Sequence, residues 1–220
     1  LTVDWWAIAI RDMIAAQSVD ALYTQCMSPV TNPGFDASHP SCVRTTRDPV
    51  DGLQTAVDVT YTNEGAIDTS GVDVQLNWER EVAAGQLSLS FLATVLDEMA
   101  TRIAPGHAFT EWKGTSGPTD LSGIEGGAYD YKISTTLGYF RPQWNVTLSW
   151  RRLSGIASAA SVLDPNDTSR PAGSYDLFDL SGAYALRDTW LLRYGIDNVL
   201  DAQPKRTFPD RHVEILLAAM

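Results

Sequence analysis

No stretch of this sequence is apolar for long enough to cross a membrane as a helix. The longest runs, such as residues 5–10 and 215–220, fall far short of the roughly 20 residues a spanning helix needs. Basic residues are also scarce, with 16 Lys and Arg against 27 Asp and Glu in 220 residues, for a formal charge of −11. A nucleic-acid partner held by phosphate neutralisation requires the opposite sign. Histidine is limited to His39, His107 and His212, which are far apart, and cysteine to Cys26 and Cys42. No H-E-x-x-H, G-x-S-x-G, Walker loop or paired C-x-x-C occurs, so no catalytic residue, cofactor or metal site is expected and the chain reads as a non-enzyme. The acidic pairs Asp97-Glu98 and Asp176/Asp179 fall where strands meet loops and read as solvated rim charge rather than acid/base pairs. Disorder is excluded too, because 44% of the residues are hydrophobic and 10% aromatic, enough apolar surface to build a core.

What is present is alternation with period two, the signature of strands with two unlike faces. Val72, Val74, Leu76 and Trp78 alternate with Asp73, Gln75, Asn77 and Glu79. Leu87, Leu89, Phe91, Ala93 and Val95 alternate with Ser88, Ser90 and Thr94. Tyr131, Ile133, Leu137 and Tyr139 oppose Lys132, Ser134 and Thr136, and Trp144, Val146, Leu148 and Trp150 oppose Asn145, Thr147, Ser149 and Arg151. Phe178, Leu180 and Tyr184 follow, then Trp190, Leu192, Tyr194 and Ile196 opposite Arg193. A first strand lies around residues 4–11, with Trp6, Ile8 and Ile10 on one side and Ala7 and Ala9 on the other. One segment breaks phase. Val57, Val59, Tyr61 and Ile67 are odd and the set from Val72 even, which predicts one long strand over residues 54–79 with a glycine bulge near Ser70-Gly71. Two strands joined near Asn63-Glu64-Gly65 is the alternative.

Connections alternate between short (80–85, 141–143, 187–189) and long (12–53, 97–128, 153–174). If residues 211–220 supply a last strand, eight strands run up and down with tight turns at one rim and long loops at the other. A soluble antiparallel sandwich also alternates, but with strands of about five or six residues. A membrane barrel needs about 9 to 11 residues per strand, aromatic girdles and this asymmetry of turns and loops. The longer runs, and the gathering of Trp78, Tyr139, Trp144, Trp150, Tyr184 and Trp190 beside turns and loop stems, favour the barrel. The fold class expected is all-β, an antiparallel up-and-down transmembrane β-barrel segment. The alternative is a secreted soluble β-sandwich module for carbohydrate; a β-rich hydrolase is a weaker rival.

Asn63-Glu64-Gly65 followed by Ser70-Gly71-Val72-Asp73, then Tyr175-Asp176-Leu177-Phe178-Asp179-Leu180, and Asp197-Asn198-Val199-Leu200-Asp201 with Pro204, together resemble the C-terminal part of a TonB-dependent outer-membrane receptor. The opening Val3-Asp4-Trp5-Trp6-Ala7-Ile8 and the loop holding Cys26, Asn32-Pro33 and Cys42 are similar to one branch of that family. The resemblance implies a plugged barrel of about 22 strands, of which residues 1–220 supply about eight. It also implies the outer membrane of a Gram-negative bacterium, with lipid and lipopolysaccharide around the barrel. Active uptake of a scarce ligand follows as well: an iron chelate of the siderophore type, a cobalamin or an oligosaccharide. The N-terminal plug domain and the energy transducer TonB would be partners through regions outside this chain. The opening reads as a strand rather than a leader peptide, so the chain reads as a piece of something longer. The end at Ala219-Met220 departs from the aromatic residue usual in the family.

Cys26 and Cys42 share one long loop with no other cysteine in the chain, which suits a disulfide formed in an oxidising compartment rather than two free buried thiols. A short helix capped by Ser18 leads toward Cys26. In the barrel reading the long loops select the ligand, and Tyr23, Phe35, Phe109 and Trp112 are their candidate contacts. Asp73, Gln75, Asn77, Glu79, Lys132, Arg151 and Arg193 would face the lumen; in a soluble fold they would face solvent.

Overall fold

The computed structural model describes residues 1–29, 31–59, 61–82, 85–104, 107–121, 124, 126–164, 166–187 and 189–205. The strand expected over residues 211–220 and His212 lie outside them. Strands β1 (Thr2–Ala16), β2 (Thr45–Arg47), β3 (Gln54–Val57), β4 (Tyr61–Val82), β5 (Gly85–Arg102), β6 (Thr110–Glu111), β7 (Tyr131–Phe140), β8 (Trp144–Leu153), β9 (Tyr175–Arg187) and β10 (Trp190–Ile196) are joined by three helices, α1 (Val19–Met27), α2 (Pro40–Val43) and α3 (Ala160–Leu163). The main sheet runs β1-β4-β5-β7-β8-β9-β10, with β6 added to β5, and every pair in it is antiparallel. β2 and β3 form a separate ribbon in the first long loop.

The register turns the sequence alternation into two continuous faces. One row carries Trp78, Leu89, Leu137, Leu148, Leu180 and Ile196 across six strands. The row beside it, on the opposite face, carries Glu79, Ser88, Gly138, Thr147, Ser181 and Gly195. No second sheet among the described residues packs against the apolar face, where Leu137 is 42% exposed, Leu148 39% and Ile196 57%. An uncovered apolar surface of this extent is the informative kind of exposure, and it removes the soluble sandwich, which would bury that face on a partner sheet. Aromatic rings edge the band. Tyr139 and Trp144 meet edge-on at 5.3 Å beside the short β7–β8 turn, and Trp150 stacks on Phe178 at 6.2 Å toward the long loops.

Two details of the first half differ from expectation. Residues 54–79 are not one strand: β3 belongs to the loop ribbon, and β4 begins at Tyr61 and continues through Asn63 and Gly65, with a register shift against β1 between those two residues. The irregularity at Ser70-Gly71 is real, but the extra residue is Asp97 of β5, because Ser70 pairs with Glu98 and Gly71 with Leu96. Opposite β1, residues 67–75 of β4 pair without a break. The phase change in the sequence therefore records an apolar set that changes face. Below Gly71 the apolar face holds Val72 and Val74; above it the same face holds Asp68, ion-paired to Arg11, while Ile67 on the other face is 9% exposed.

The core explains this switch. Above the bulge, the loops after β5 and β8 fold over the polar face of the sheet. Trp112, Ala128 and Ala159 are buried there, against Leu96, Met99 and Val162. Main-chain bridges tie Thr115 to Ala128 and to Ala157. β4 has 22 residues and β5 has 18, about twice what a bilayer requires, so their upper halves project beyond the apolar band and take their hydrophobic contacts from the loops instead.

Candidate functional site

The long loops begin with a cross-linked platform. α1 leads into Cys26, which is disulfide-bonded to Cys42 in α2. Asn32, 3% exposed, sits between the two halves: its Nδ2 donates to the carbonyls of Cys26 (3.0 Å) and Asp36 (3.1 Å), and its Oδ1 accepts from the Asp36 amide (2.9 Å). An asparagine can satisfy three backbone groups at once where a shorter side chain cannot. Phe35 is held in this turn at φ 49°, a left-handed conformation uncommon for a bulky residue, and its ring is 58% exposed. It lines a groove of about 500 Å3 with Met27, Val43, Arg47 and the disulfide. The Arg47 guanidinium lies 5.9 Å over the ring of Tyr23. The Asp36 carboxyl is held below its usual range by hydrogen bonds from the Ser38 amide and hydroxyl.

The other two aromatic candidates fare differently. Phe109 is 37% exposed and clasped between Arg11 (5.4 Å) and Arg102 (5.0 Å), on the face that is apolar lower down the sheet. Trp112 is fully buried, which corrects its assignment as a contact residue. Its Nε1 donates to Thr101 Oγ1 at 2.6 Å, and that hydroxyl also lies 2.7 and 2.8 Å from the two oxygens of Asp120. Burial pushes the Asp120 carboxyl up, against the smaller opposite pull of the Thr101 hydrogen bond. This Trp112–Thr101–Asp120 knot fastens the loop to β5. An isolated Asp and Trp in a long loop gave no sign of it in the sequence.

The seven charged and polar residues assigned to the lumen share one face by register. Neighbours on that face satisfy four of them. Thr94 donates to Asp73 at 2.7 Å, Ser90 to Asn77 at 3.0 Å, Gln86 to Glu79 at 3.0 Å, and Arg151 pairs with Asp179 at 2.7 Å. Asp176 pairs instead with Arg152, one row over on the opposite face, so Asp176 and Asp179 do not meet. Among the described residues no group of His, Cys, Asp or Glu is gathered so as to hold a metal ion. Asp164 and Asp167 hold the amides of Asn166 and Ser169 as loop turns.

A single twisted sheet of long antiparallel strands, apolar and ringed by aromatics on one face, hydrogen-bonded and polar on the other, with turns at one rim and folded loops at the other, is the wall of a transmembrane β-barrel. Within that class the chain belongs to the TonB dependent receptor-like, beta-barrel family, whose model matches residues 1–199. Members are receptors and transporters of the Gram-negative outer membrane, not enzymes. No curated protein and no solved structure matches the chain.

Proposed function

We infer that these residues form the C-terminal, ligand-selecting part of the barrel wall of a TonB-dependent importer. A scarce ligand of the siderophore-iron, cobalamin or oligosaccharide class would be captured by the long loops. The N-terminal plug fills the lumen against the polar face, TonB supplies the energy, and the apolar face meets outer-membrane lipid with lipopolysaccharide above it. The observation that carries this reading is the pairing of an uncovered apolar face with a polar face on which Asp73, Asn77, Glu79 and Arg151 are bonded sideways to their neighbours. Tyr23, Phe35 and Phe109 offer accessible rings to the ligand. Accumulation of labelled ferric chelate, cobalamin or oligosaccharide by cells expressing the full-length receptor tests it. One ligand should accumulate only with TonB present and the proton-motive force intact. Equal accumulation of every ligand without either would overturn the reading.

A further inference from the structure

Apolar side chains interrupt the polar face at several points, Trp6, Phe140 and Leu191 among them, and in one place they gather across neighbouring strands. Along β5 the residue between Ser90 and Thr94 that should be polar is Leu92, 47% exposed. The register carries Leu92 across Ser134 and Arg151 to Leu177, so one row of four strands starts and ends on leucine. The next row runs from Thr94 through Lys132 and Leu153 to Tyr175. Three leucines that break the alternation on three different strands thus converge on one patch, closed at the loop end by Tyr129 into a cavity of about 280 Å3. Arg151 in this patch is paired with Asp179. Lys132 is not paired: among the described residues its ammonium meets only the Tyr129 ring, at 5.2 Å. The carboxylate across the sheet from it, Asp73, lies two strands away, about 10 Å, and accepts from Thr94.

An apolar floor with one uncompensated ammonium at its edge recognises a particular chemistry. Small-molecule sites combine apolar lining with a few placed polar groups, and their volumes begin near 300 Å3. A cavity just under that range takes the tip of a ligand. We propose that this patch is a binding subsite for an amphipathic organic anion, whose apolar body rests on Leu92, Leu153 and Leu177 and whose carboxylate or similar head sits on Lys132 Nζ. This deepens the import reading, on which it rests, by assigning the ligand an anionic group beside an apolar one.

The test uses the purified full-length receptor in neutral detergent, with 1-naphthoate as the anionic probe and 1-naphthamide as its neutral isostere, bound amounts being read by equilibrium dialysis. The receptor should bind naphthoate at least tenfold more tightly than naphthamide. Lys132→Gln should erase that difference while leaving naphthamide unchanged, Leu92→Ser should weaken both probes several-fold, and Ser88→Ala, elsewhere on the same face, should alter neither. Equal affinity for the two probes, or a preference that survives Lys132→Gln, overturns the proposal. So does absence of binding, and if Leu92→Ser then also lowers the melting temperature of the full receptor, the patch is a seat for the plug. Dialysis needs no energised membrane. Loss of the subsite with energised uptake retained therefore refutes this proposal alone, and naphthoate binding without energised uptake refutes the import reading alone.

Discussion

Arginine placed along β8 provides a ruler for the membrane. On the apolar face this strand carries Trp144, Val146, Leu148, Trp150 and Arg152, with Leu148 between Leu137 and Leu180 of the neighbouring strands. Four residues separate Leu148 from Trp144 and four from Arg152, about 14 Å along the strand each way. A tilt of about 40° reduces each to about 10 Å along the membrane normal. An apolar band about 25 Å tall then has Leu148 at its middle, the Trp144 ring at one boundary and a native guanidinium, Arg152 paired with Asp176, at the other. Leu148→Arg should therefore destabilise the full-length receptor by about 2 to 4 kcal/mol. Val146→Arg and Trp150→Arg should fall in between, Trp150 losing its stacking on Phe178 as well. Thr147→Arg, one residue away but on the polar face, should not share the depth-dependent term. Reversible denaturant unfolding in phospholipid vesicles, followed by tryptophan fluorescence, gives the free energies. Equal losses at Leu148 and Thr147, or a loss at Leu148 no larger than at the ends of the strand, would refute the assignment of faces and of the membrane midplane.

Breaking the Cys26–Cys42 link, by reduction or by Cys26→Ser with Cys42→Ser, should loosen the first long loop by about 3 kcal/mol in the chain-entropy model for a loop of this size. Faster proteolysis within residues 17–58, with unchanged strand content, is the expected readout. Asp120 should make the second long loop pH-dependent. Its carboxyl is raised in the folded state by burial, so its contribution is fully present below the ordinary range near about pH 4 and is lost as pH rises through the higher folded value. Protection of the Trp112 and Thr115 amides from hydrogen exchange, measured relative to the intrinsic rate at each pH, should fall toward neutral pH, and Asp120→Asn should flatten that dependence. A Cβ on Gly71 would lie 2.6 Å from Trp6 Cζ2 and 2.6 Å from the Val95 carbonyl oxygen, whereas one on Gly34 meets nothing. Gly71→Ala should accordingly destabilise by about 1 to 3 kcal/mol and Gly34→Ala by less than about 0.5 kcal/mol in the same unfolding assay.

Much of the wall was legible before any coordinates. The alternation from Val72 onward, the short turns and the aromatics beside them are local, and a strand exposes them one residue at a time. What misled was a signal whose meaning depends on neighbours. The odd-numbered apolar set ending at Ile67 and the even set from Val72 look like a bulge in β4, yet the inserted residue is Asp97 on the partner strand. Only the loop core around Trp112 explains why the hydrophobic set changes face. Trp112 itself shows the same limit. An aromatic in a long polar loop looks like a contact residue, and its burial follows from Thr101, eleven residues away on β5.

The sequence by itself determined that the chain is a sheet with one apolar and one polar face, because period-two patterning fixes side-chain direction along each strand without reference to anything distant. It also determined that the two cysteines share one loop, and that no spanning helix or recognised catalytic motif is present. Tertiary structure alone decided which rows line up across strands. Cross-strand register brings Leu92, Leu153 and Leu177 together around Lys132, and sets Arg152 level with Asp176 at the edge of the apolar band. The physical reason is that register is a non-local quantity, set jointly by turns, bulges and packing, so three unremarkable leucines become a surface only once four strands are aligned.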